Sequence, residues 1–370
     1  MFYLYGENRK DFNPSSYLWQ VYMNLYDYAE SKGLSLRRVM DFTTGSNPLG
    51  PSNKAKHAIR KSIKNLDRYP DEKTRYLRKY ICKKESIGDE NIVFGHGSTH
   101  LIGAILQVVK PGVACIPSPF SYKTEDILNR YDVRIKPFPL NKESGFSLDI
   151  EKFLQSIECA DIVIISNPHN ITGSVIPAVD IDYLIEAMGR INKILIIDET
   201  YREFTELVSP VRHVIQSNPS LIMRTFSTFH ALAGLRIGYM IGSTKLIQKI
   251  RNVLGPLQIN SIAPYAALAS LKDTGYKKRT LKFIEQEKRY ILRKLSDIEG
   301  LKVFDTPCNF LLLVIEKEEH KNFRDLFLKH HILIDEYTGE RDEHFIRLPI
   351  KRHKFNASFI KTLKKIMEAL

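Results

Sequence analysis

The sequence predicts an α/β protein with a large domain built around a mostly parallel sheet and a smaller α+β domain. Between about residue 90 and Pro256, short apolar runs alternate with helix-like stretches, which is the pattern of parallel strands joined by crossover helices. After Pro256, a long charged helical stretch leads into a second group of apolar runs. A chain of 370 residues, 43% of them hydrophobic, can bury cores of this size. We therefore expect a large domain at residues 43–255 and a small domain formed by residues 1–42 and 256–370.

The individual elements follow in order from the apolar runs. Strands of the large domain are predicted at 91–94, 113–116, 161–166, 193–198, 220–226 and 237–241, with helices at 100–109 and 181–191 between them. In the small domain, a helix is predicted at 265–298, strands at 301–304, 309–315, 331–335 and 344–348, and a last helix at 357–367. No flexible linker is expected between the two domains.

Composition narrows the classes of function. The formal net charge is +13, but the basic clusters are scattered along helix-like segments, which argues against a nucleic-acid interface and favours anionic, phosphorylated ligands. No apolar run reaches the length of a membrane span, and the start lacks a basic segment followed by an apolar one, so neither membrane insertion nor secretion is expected. The four cysteines are widely spaced and form no C-x-x-C pair. We expect a reduced, cytoplasmic protein and predict no metal site.

A glycine-rich turn at residues 95–99 follows an apolar strand and opens a helix. The backbone amides of Gly97, Ser98 and Thr99, with the positive end of the helix dipole, suit a phosphate group. Glycines are also common at strand–helix turns for structural reasons alone, so the turn by itself does not establish a site.

Two further polar segments follow apolar strands. Asn167 lies in a loop rich in Asn, Pro and Gly, and such a loop could be only a turn. Asp198 stands at the carboxyl end of a predicted parallel strand, where open α/β sheets bind ligands, although an aspartate there can also be a cap. The position of Asp198 therefore indicates a ligand site at the carboxyl edge of the sheet.

With the segment 224–236, these motifs resemble the fold-type I enzymes that depend on pyridoxal 5′-phosphate (PLP), in particular the class I and II aminotransferases. The matches occur in family order from Asn47 to Arg347 and cover nearly the whole chain. The resemblance implies the fold-type I transferase fold, PLP as the cofactor, a small-molecule substrate and a homodimer with its active site at the subunit boundary. The resemblance implies that the turn at 97–99, Ser227 and Arg236 bind the cofactor phosphate, and that Tyr69 reaches the phosphate of the partner subunit. It implies that Asn167, Asp198 and Tyr201 bind the cofactor ring, on which Phe120 or Tyr122 stacks. Asn47 and Arg347 are the implied substrate-binding residues.

Thr228 occupies the position at which this family carries the lysine that binds PLP as a Schiff base. A hydroxyl cannot form an imine and is a poor base near neutral pH, so we expect PLP to bind non-covalently and another group to move the proton. His230 is the first candidate because it lies within the cofactor segment and imidazole titrates near neutrality. His96, His100 and His169 lie in other loops expected to face the site, and a packing or surface role is the alternative for each histidine. A lysine replaced deliberately to trap a ligand is a further alternative, although alanine is the usual replacement.

Within the superfamily, the chain most resembles the threonine-phosphate decarboxylases of cobalamin biosynthesis, with the histidinol-phosphate aminotransferases as near relatives. Tyr5 stands where the decarboxylases have a phosphate-contacting histidine, and Asp335 stands where these relatives have an arginine that grips the anionic end of the substrate. The resemblance implies a decarboxylase-like PLP enzyme that acts on an amino acid or a phosphorylated amino acid without the lysine. The alternatives are an inactive protein that binds PLP or a phosphorylated ligand, and an aminotransferase.

Overall fold

The computed structural model of the chain describes residues 24–217, 219–316, 322–338 and 344–369. The α-helices of these residues are α1 (Leu25–Ser31), α2 (Asn53–Ser62), α3 (Arg75–Glu85), α4 (Ser98–Val109), α5 (Tyr122–Arg130), α6 (Ile150–Ser156), α7 (Ala178–Arg190), α8 (Val211–Gln216), α9 (Thr244–Leu254), α10 (Ala263–Leu271), α11 (Thr274–Leu295), α12 (Phe323–Leu328) and α13 (His353–Glu368). The strands are β1 (Met40–Asp41), β2 (Ile92–Gly95), β3 (Val113–Ser118), β4 (Arg134–Pro139), β5 (Ile162–Ser166), β6 (Ile194–Asp198), β7 (Ser220–Thr225), β8 (Gly238–Gly242), β9 (Leu301–Asp305), β10 (Phe310–Ile315), β11 (Ile332–Leu333), β12 (Asp335–Thr338) and β13 (His344–Pro349).

The large sheet has the strand order β2–β8–β7–β6–β5–β3–β4. Strands β4, β3, β5, β6 and β7 run parallel to one another, and β8 is antiparallel to both β7 and β2. The predicted mostly parallel α/β sheet is therefore confirmed. The apolar pattern does not predict β4, because Pro137 and Pro139 interrupt it. Those prolines are tolerated because β4 is an edge strand, where one side of the backbone has no partner to bond.

The central strands are buried between two layers of helices. Alternate residues of a strand point to opposite faces, so Ile165 of β5 packs in a cluster with Leu184 of α7, whereas Ile164 packs in a second cluster with Ile105 of α4. Strands covered on both faces are continuous apolar runs, which is why they could be recognised in the sequence.

The small lobe contains an antiparallel sheet of order β12–β13–β10–β9 and a parallel pair formed by β1 and β11. The fully buried strand β10 packs with Ile291 of α11 and with Phe359 and Leu363 of α13 in one apolar cluster. The prediction of a smaller α+β unit is consistent with this arrangement. None of the helices that the structure describes is long and apolar enough to span a bilayer.

Two predicted elements of this region are wrong in detail. The helix expected at 265–298 is two helices, α10 and α11, separated at Lys272 and Asp273. The strand expected at 331–335 is split between β11, which pairs with β1, and β12, which pairs with β13. The boundary at residue 256 stays a prediction, but α10 packs with the large sheet, since Ala263 and Ala266 share a buried cluster with Ile222 of β7.

Candidate active site

The polar segments singled out in the sequence meet at one edge of the large sheet. Ser166, at the end of β5, is in register with Asp198 at the end of β6. Gly238, at the start of the antiparallel β8, is in register with both Thr225 of β7 and Gly95 of β2. The loops that follow β2, β5, β6 and β7 and the one that precedes β8 therefore open at the same edge, where open α/β sheets bind ligands.

At one corner of this edge, the start of a helix lies beside an arginine, and this combination suits an anion. Helix α4 begins at Ser98, and its N-cap Gly97 has a φ of +84° and no side chain to cap the helix. A Cβ atom at residue 97 would lie 2.5 Å from Nη2 of Arg236, so only glycine lets the guanidinium approach the turn so closely. Free amides at a helix start beside an arginine suit a phosphate group, as predicted for the turn at 97–99 and for Arg236.

The centre of the edge is suited to a ring nitrogen. Oδ1 of Asp198 accepts hydrogen bonds from the backbone amide of Thr200 at 2.9 Å and from its hydroxyl at 2.5 Å. Burial raises the pKa of the Asp198 carboxyl to about 6, although the bonds from Thr200 oppose the rise. A buried carboxylate is stabilised by a protonated partner, so this environment fits a pyridinium nitrogen. Beside it, the side-chain amide of Asn167 is paired with the backbone of Ile176 through a donated bond of 3.0 Å and an accepted bond of 3.1 Å.

Thr228 lies next to this cradle. Its carbonyl accepts hydrogen bonds from the backbone amides of Asn47 at 2.9 Å and of Ala231 at 3.3 Å. The preceding residue, Ser227, accepts a bond of 2.9 Å from the hydroxyl of Thr225, which anchors the turn to β7. The backbone of the cofactor segment is thus held in place, while the side chain at position 228 offers a hydroxyl and no amine.

Arg347, predicted to bind the substrate carboxylate, already has internal partners. Nη1 donates to the carbonyl of Asn170 and to the hydroxyl of Tyr201, both at 3.0 Å. Nη2 donates to the carbonyl of Thr43 at 3.0 Å and forms an ion pair with Asp335 at 2.6 Å. Nε is buried and has no partner among the described residues. These contacts use every Nη hydrogen, so binding a carboxylate in a two-pronged way requires that Arg347 give up at least one of them.

The position of Asp335 has a structural explanation. Asp335 of β12 and Arg347 of β13 are direct partners in the antiparallel register, so their side chains lie on the same face. The hydroxyl of Tyr337 also donates to Asp335 at 2.9 Å. The replacement of the relatives' arginine by Asp335 therefore places a carboxylate against Arg347.

The histidines have different surroundings. Nε2 of His230 lies 3.0 Å from a carboxylate oxygen of Glu203, and the ring borders a cavity lined also by Glu199, Arg224 and Tyr239. None of Asn167, Asp198, Ser227 or Arg236 lines that cavity. A catalytic role for His230 stays a prediction, and this geometry favours a packing role.

The other histidine candidates also have protein partners. Nδ1 of His169 lies 2.9 Å from the Thr172 hydroxyl, and burial lowers the pKa of His169 to about 4, so the ring is neutral near pH 7. Nδ1 of His100 accepts a bond of 3.1 Å from the amide of His96, and burial lowers the pKa of His100 as well. The His169 ring is therefore not suited to exchange a proton near pH 7.

The remaining candidates are placed as follows. The side-chain amide of Asn47 is buried and donates to the Phe229 carbonyl and the Thr280 hydroxyl, both at 2.9 Å, which makes it a brace between the two lobes. Phe120 is half-buried between β3 and α5. Tyr69 is 89% exposed, and its predicted contact with a partner subunit stays a prediction. Tyr5 lies outside the described residues.

Two lysines that the sequence reasoning did not single out lie near Arg347. The Arg347 charge acts on both Lys123 and Lys351, and burial lowers the pKa of each amine, that of Lys351 to about 8. Lys123 follows the candidate stacking residue Phe120 by three positions. Its closeness in sequence to Phe120 could have drawn attention to Lys123, but a lysine in a helix is ordinarily exposed to solvent.

Comparisons with known proteins agree with this geometry. The family described as aminotransferase class I and II matches residues 37–352. A protein of Caldanaerobacter subterraneus subsp. tengcongensis, provisionally named threonine-phosphate decarboxylase, is 31% identical over 350 residues, which cover 93% of each chain. The crystal structure of the histidinol-phosphate aminotransferase from Clostridium acetobutylicum has a TM-score of 0.80 and 29% identity, covering 90% of this chain and 100% of that one. The corresponding enzyme from Sinorhizobium meliloti, solved with PLP, has a TM-score of 0.83 and 23% identity, covering 95% of this chain and 96% of that one.

Proposed function

This chain belongs to the class I and II aminotransferase family, whose cofactor is PLP, and from that membership we propose that it is a PLP-dependent decarboxylase of a phosphorylated amino acid such as L-threonine-O-3-phosphate. We also infer a homodimer, in which the second subunit would cover the exposed Tyr69. The relative named as a decarboxylase and the retained PLP cradle support the choice of cofactor and substrate class.

The cradle residues have distinct tasks. PLP, when bound, withdraws electrons from the substrate carbon that carries the amine. Asp198 keeps the ring nitrogen protonated, because a buried carboxylate whose pKa is about 6 gains from a cationic partner. Gly97 and Arg236 hold the phosphate in the anion corner. Asn167 follows β5, and the second hydrogen of its Nδ2, beyond the one donated to Ile176, would bond the ring oxygen.

The ion pair between Arg347 and Asp335 is the observation that carries the choice of reaction. A free guanidinium would grip the substrate carboxylate and stabilise it before reaction. Here Asp335 occupies Arg347 at 2.6 Å, and its own negative charge lies at the place where that carboxylate would bind. A negative neighbour destabilises a carboxylate but not the neutral CO2 that leaves, so this arrangement favours loss of CO2.

The residue at position 228 supports the same choice. Transamination needs a base that moves a proton between two carbon atoms, and the Thr228 hydroxyl is a poor base near neutral pH. After loss of CO2, a single protonation completes the reaction, and water can supply that proton. Decarboxylation therefore tolerates the missing lysine better than transamination does.

The test has two readouts on the purified protein. The first is retention of PLP after gel filtration, followed by its absorbance; the second is release of CO2 or of an oxo acid from L-threonine-O-3-phosphate. Retained PLP with CO2 release supports the proposal, whereas formation of an oxo acid identifies an aminotransferase. Retained PLP without turnover identifies an inactive binding protein, and failure to retain PLP overturns the proposal. If Thr228→Lys alone is active, the native protein is a lapsed enzyme.

A further inference from the structure

The site lacks an amine at position 228, but a lysine from another element reaches the same cleft. Lys123 lies in the first turn of α5, directly after β3, which is the neighbour of β5 in the sheet. The parallel strands β3 and β5 end at the same edge, so the start of α5 lies beside the loop that carries Asn167. We propose that Lys123 supplies the primary amine of this site and binds PLP covalently in place of a lysine at position 228. This inference rests on the proposed PLP function.

The charges that act on Lys123 come from both ends of the inferred ligand site. Arg347, at the substrate end, and Arg236, at the phosphate end, both act on the Lys123 ammonium, as do Asp335 and Asp41. The reactive aldehyde of PLP must lie between the phosphate that Arg236 holds and the substrate that reaches Arg347. Because α5 also begins at the ligand edge beside the loop that carries Asn167, we infer that the Lys123 amine can reach that aldehyde.

Lys123 also has the local environment of a reactive amine. Its side chain is exposed, and the desolvation of its amine by nearby protein is the main cause that lowers its pKa. Among the described residues it pairs with no carboxylate, and its ammonium lies 5.7 Å from the centre of the Tyr122 ring. A cation in the first turn of a helix opposes the helix dipole, so α5 gains nothing from this lysine. An unprotonated amine is the form that attacks a carbonyl.

Lys351 is the competing lysine, and its contacts exclude it from this role. Its Nζ donates to the carbonyl of Thr44 at 2.7 Å, and it lies 6.0 Å from the centre of the Phe42 ring in the small lobe. Lys351 thus serves as a matched control: a half-buried lysine with a lowered pKa beside the same Arg347.

The proposed step is a condensation. The Nζ lone pair of Lys123 attacks the aldehyde carbon of PLP, both amine hydrogens leave with the aldehyde oxygen as one water molecule, and a carbon–nitrogen double bond forms. No atom is oxidised or reduced. Borohydride then converts that double bond into a stable single bond, which marks the lysine that formed it.

The experiment traps this bond without relying on turnover. The protein is loaded with equimolar PLP, desalted, reduced with borohydride, digested, and analysed by mass spectrometry for a phosphopyridoxyl group. We expect the label on Lys123 in the wild type and in Lys351→Arg, its loss from Lys123→Arg, and its appearance at position 228 in Thr228→Lys. Circular dichroism checks that each variant is folded.

The outcomes separate the two proposals. If the wild type retains PLP through desalting but releases it unreduced on denaturation, or carries the label elsewhere, the covalent role of Lys123 is overturned and the proposed PLP function stands. If the wild type retains no PLP, the proposed function fails and the inference about Lys123 fails with it.

Discussion

Asp198 gives a direct test of the cofactor site, because the substitution Asp198→Asn should stabilise the cofactor-free protein while weakening PLP binding. Burial raises the Asp198 pKa from 3.8 to about 6, so the folded state holds this proton more tightly than the unfolded state does. The free energy of unfolding therefore falls as pH rises from about 4 through about 6, and the loss persists at higher pH. At 1.36 kcal/mol per pH unit, the wild type loses about 1.6 kcal/mol at pH 5 and about 3 kcal/mol at pH 8.

Asparagine removes this loss and keeps the contacts with Thr200, since its carbonyl oxygen can accept the same two bonds. Urea unfolding of the cofactor-free proteins is expected to show a stability gain for Asp198→Asn that is about 1.4 kcal/mol larger at pH 8 than at pH 5. The exposed Asp67→Asn serves as the control for loss of a carboxylate alone. With PLP present the order should invert, because the variant cannot keep the ring nitrogen protonated. An equal gain at both pH values, or unchanged PLP affinity, would refute the reasoning.

Three further changes probe the rest of the site. Gly97→Ala would place a Cβ 2.5 Å from Nη2 of Arg236, the candidate phosphate-binding residue, at a φ of +84°. Equilibrium dialysis should therefore show a Kd for PLP raised by about tenfold or more, and an unchanged Kd contradicts the anion corner. Asp335→Asn should lower both kcat and KM for L-threonine-O-3-phosphate in steady-state assays. The control Tyr337→Phe keeps the charge of Asp335 and should change both constants less. A higher kcat for Asp335→Asn argues against decarboxylation. His230→Phe should cost about 1 kcal/mol in thermal unfolding by leaving the half-buried Glu203 without its histidine partner, with PLP affinity unchanged. Lost affinity would instead place this histidine at the cofactor.

The strands of the large sheet could be predicted because burial on both faces leaves a local signature, a continuous apolar run. The glycine-rich turn and Asp198 could also be predicted, because each directly follows a predicted strand in the sequence. The edge strand β4 has no such signature, because solvent on one side permits the charged residues and prolines of its sequence. The break between α10 and α11 was equally hidden, since the residues at the break, Lys272 and Asp273, are compatible with a continuous helix.

The contacts between distant segments could not be read from the sequence. The motif reading singled out Arg347 and Asp335, but their ion pair depends on the antiparallel register of β12 and β13. His230 and Thr228 are neighbours in the chain, yet the turn between them directs the imidazole to Glu203. Lys123 was overlooked because its importance arises from four charges that belong to other segments.

The sequence by itself determined the family, the buried strands of the large sheet and the candidate residues of the PLP site, because each depends on a short run whose residue types and spacing are local. It also determined that residue 228 carries a hydroxyl. Only the tertiary structure decided which side chains share the cleft with that hydroxyl, which carboxylate occupies Arg347, and which lysine lies near both arginines. Those properties depend on distances between residues far apart in the chain, and such distances are set by packing and strand register, not by composition or spacing.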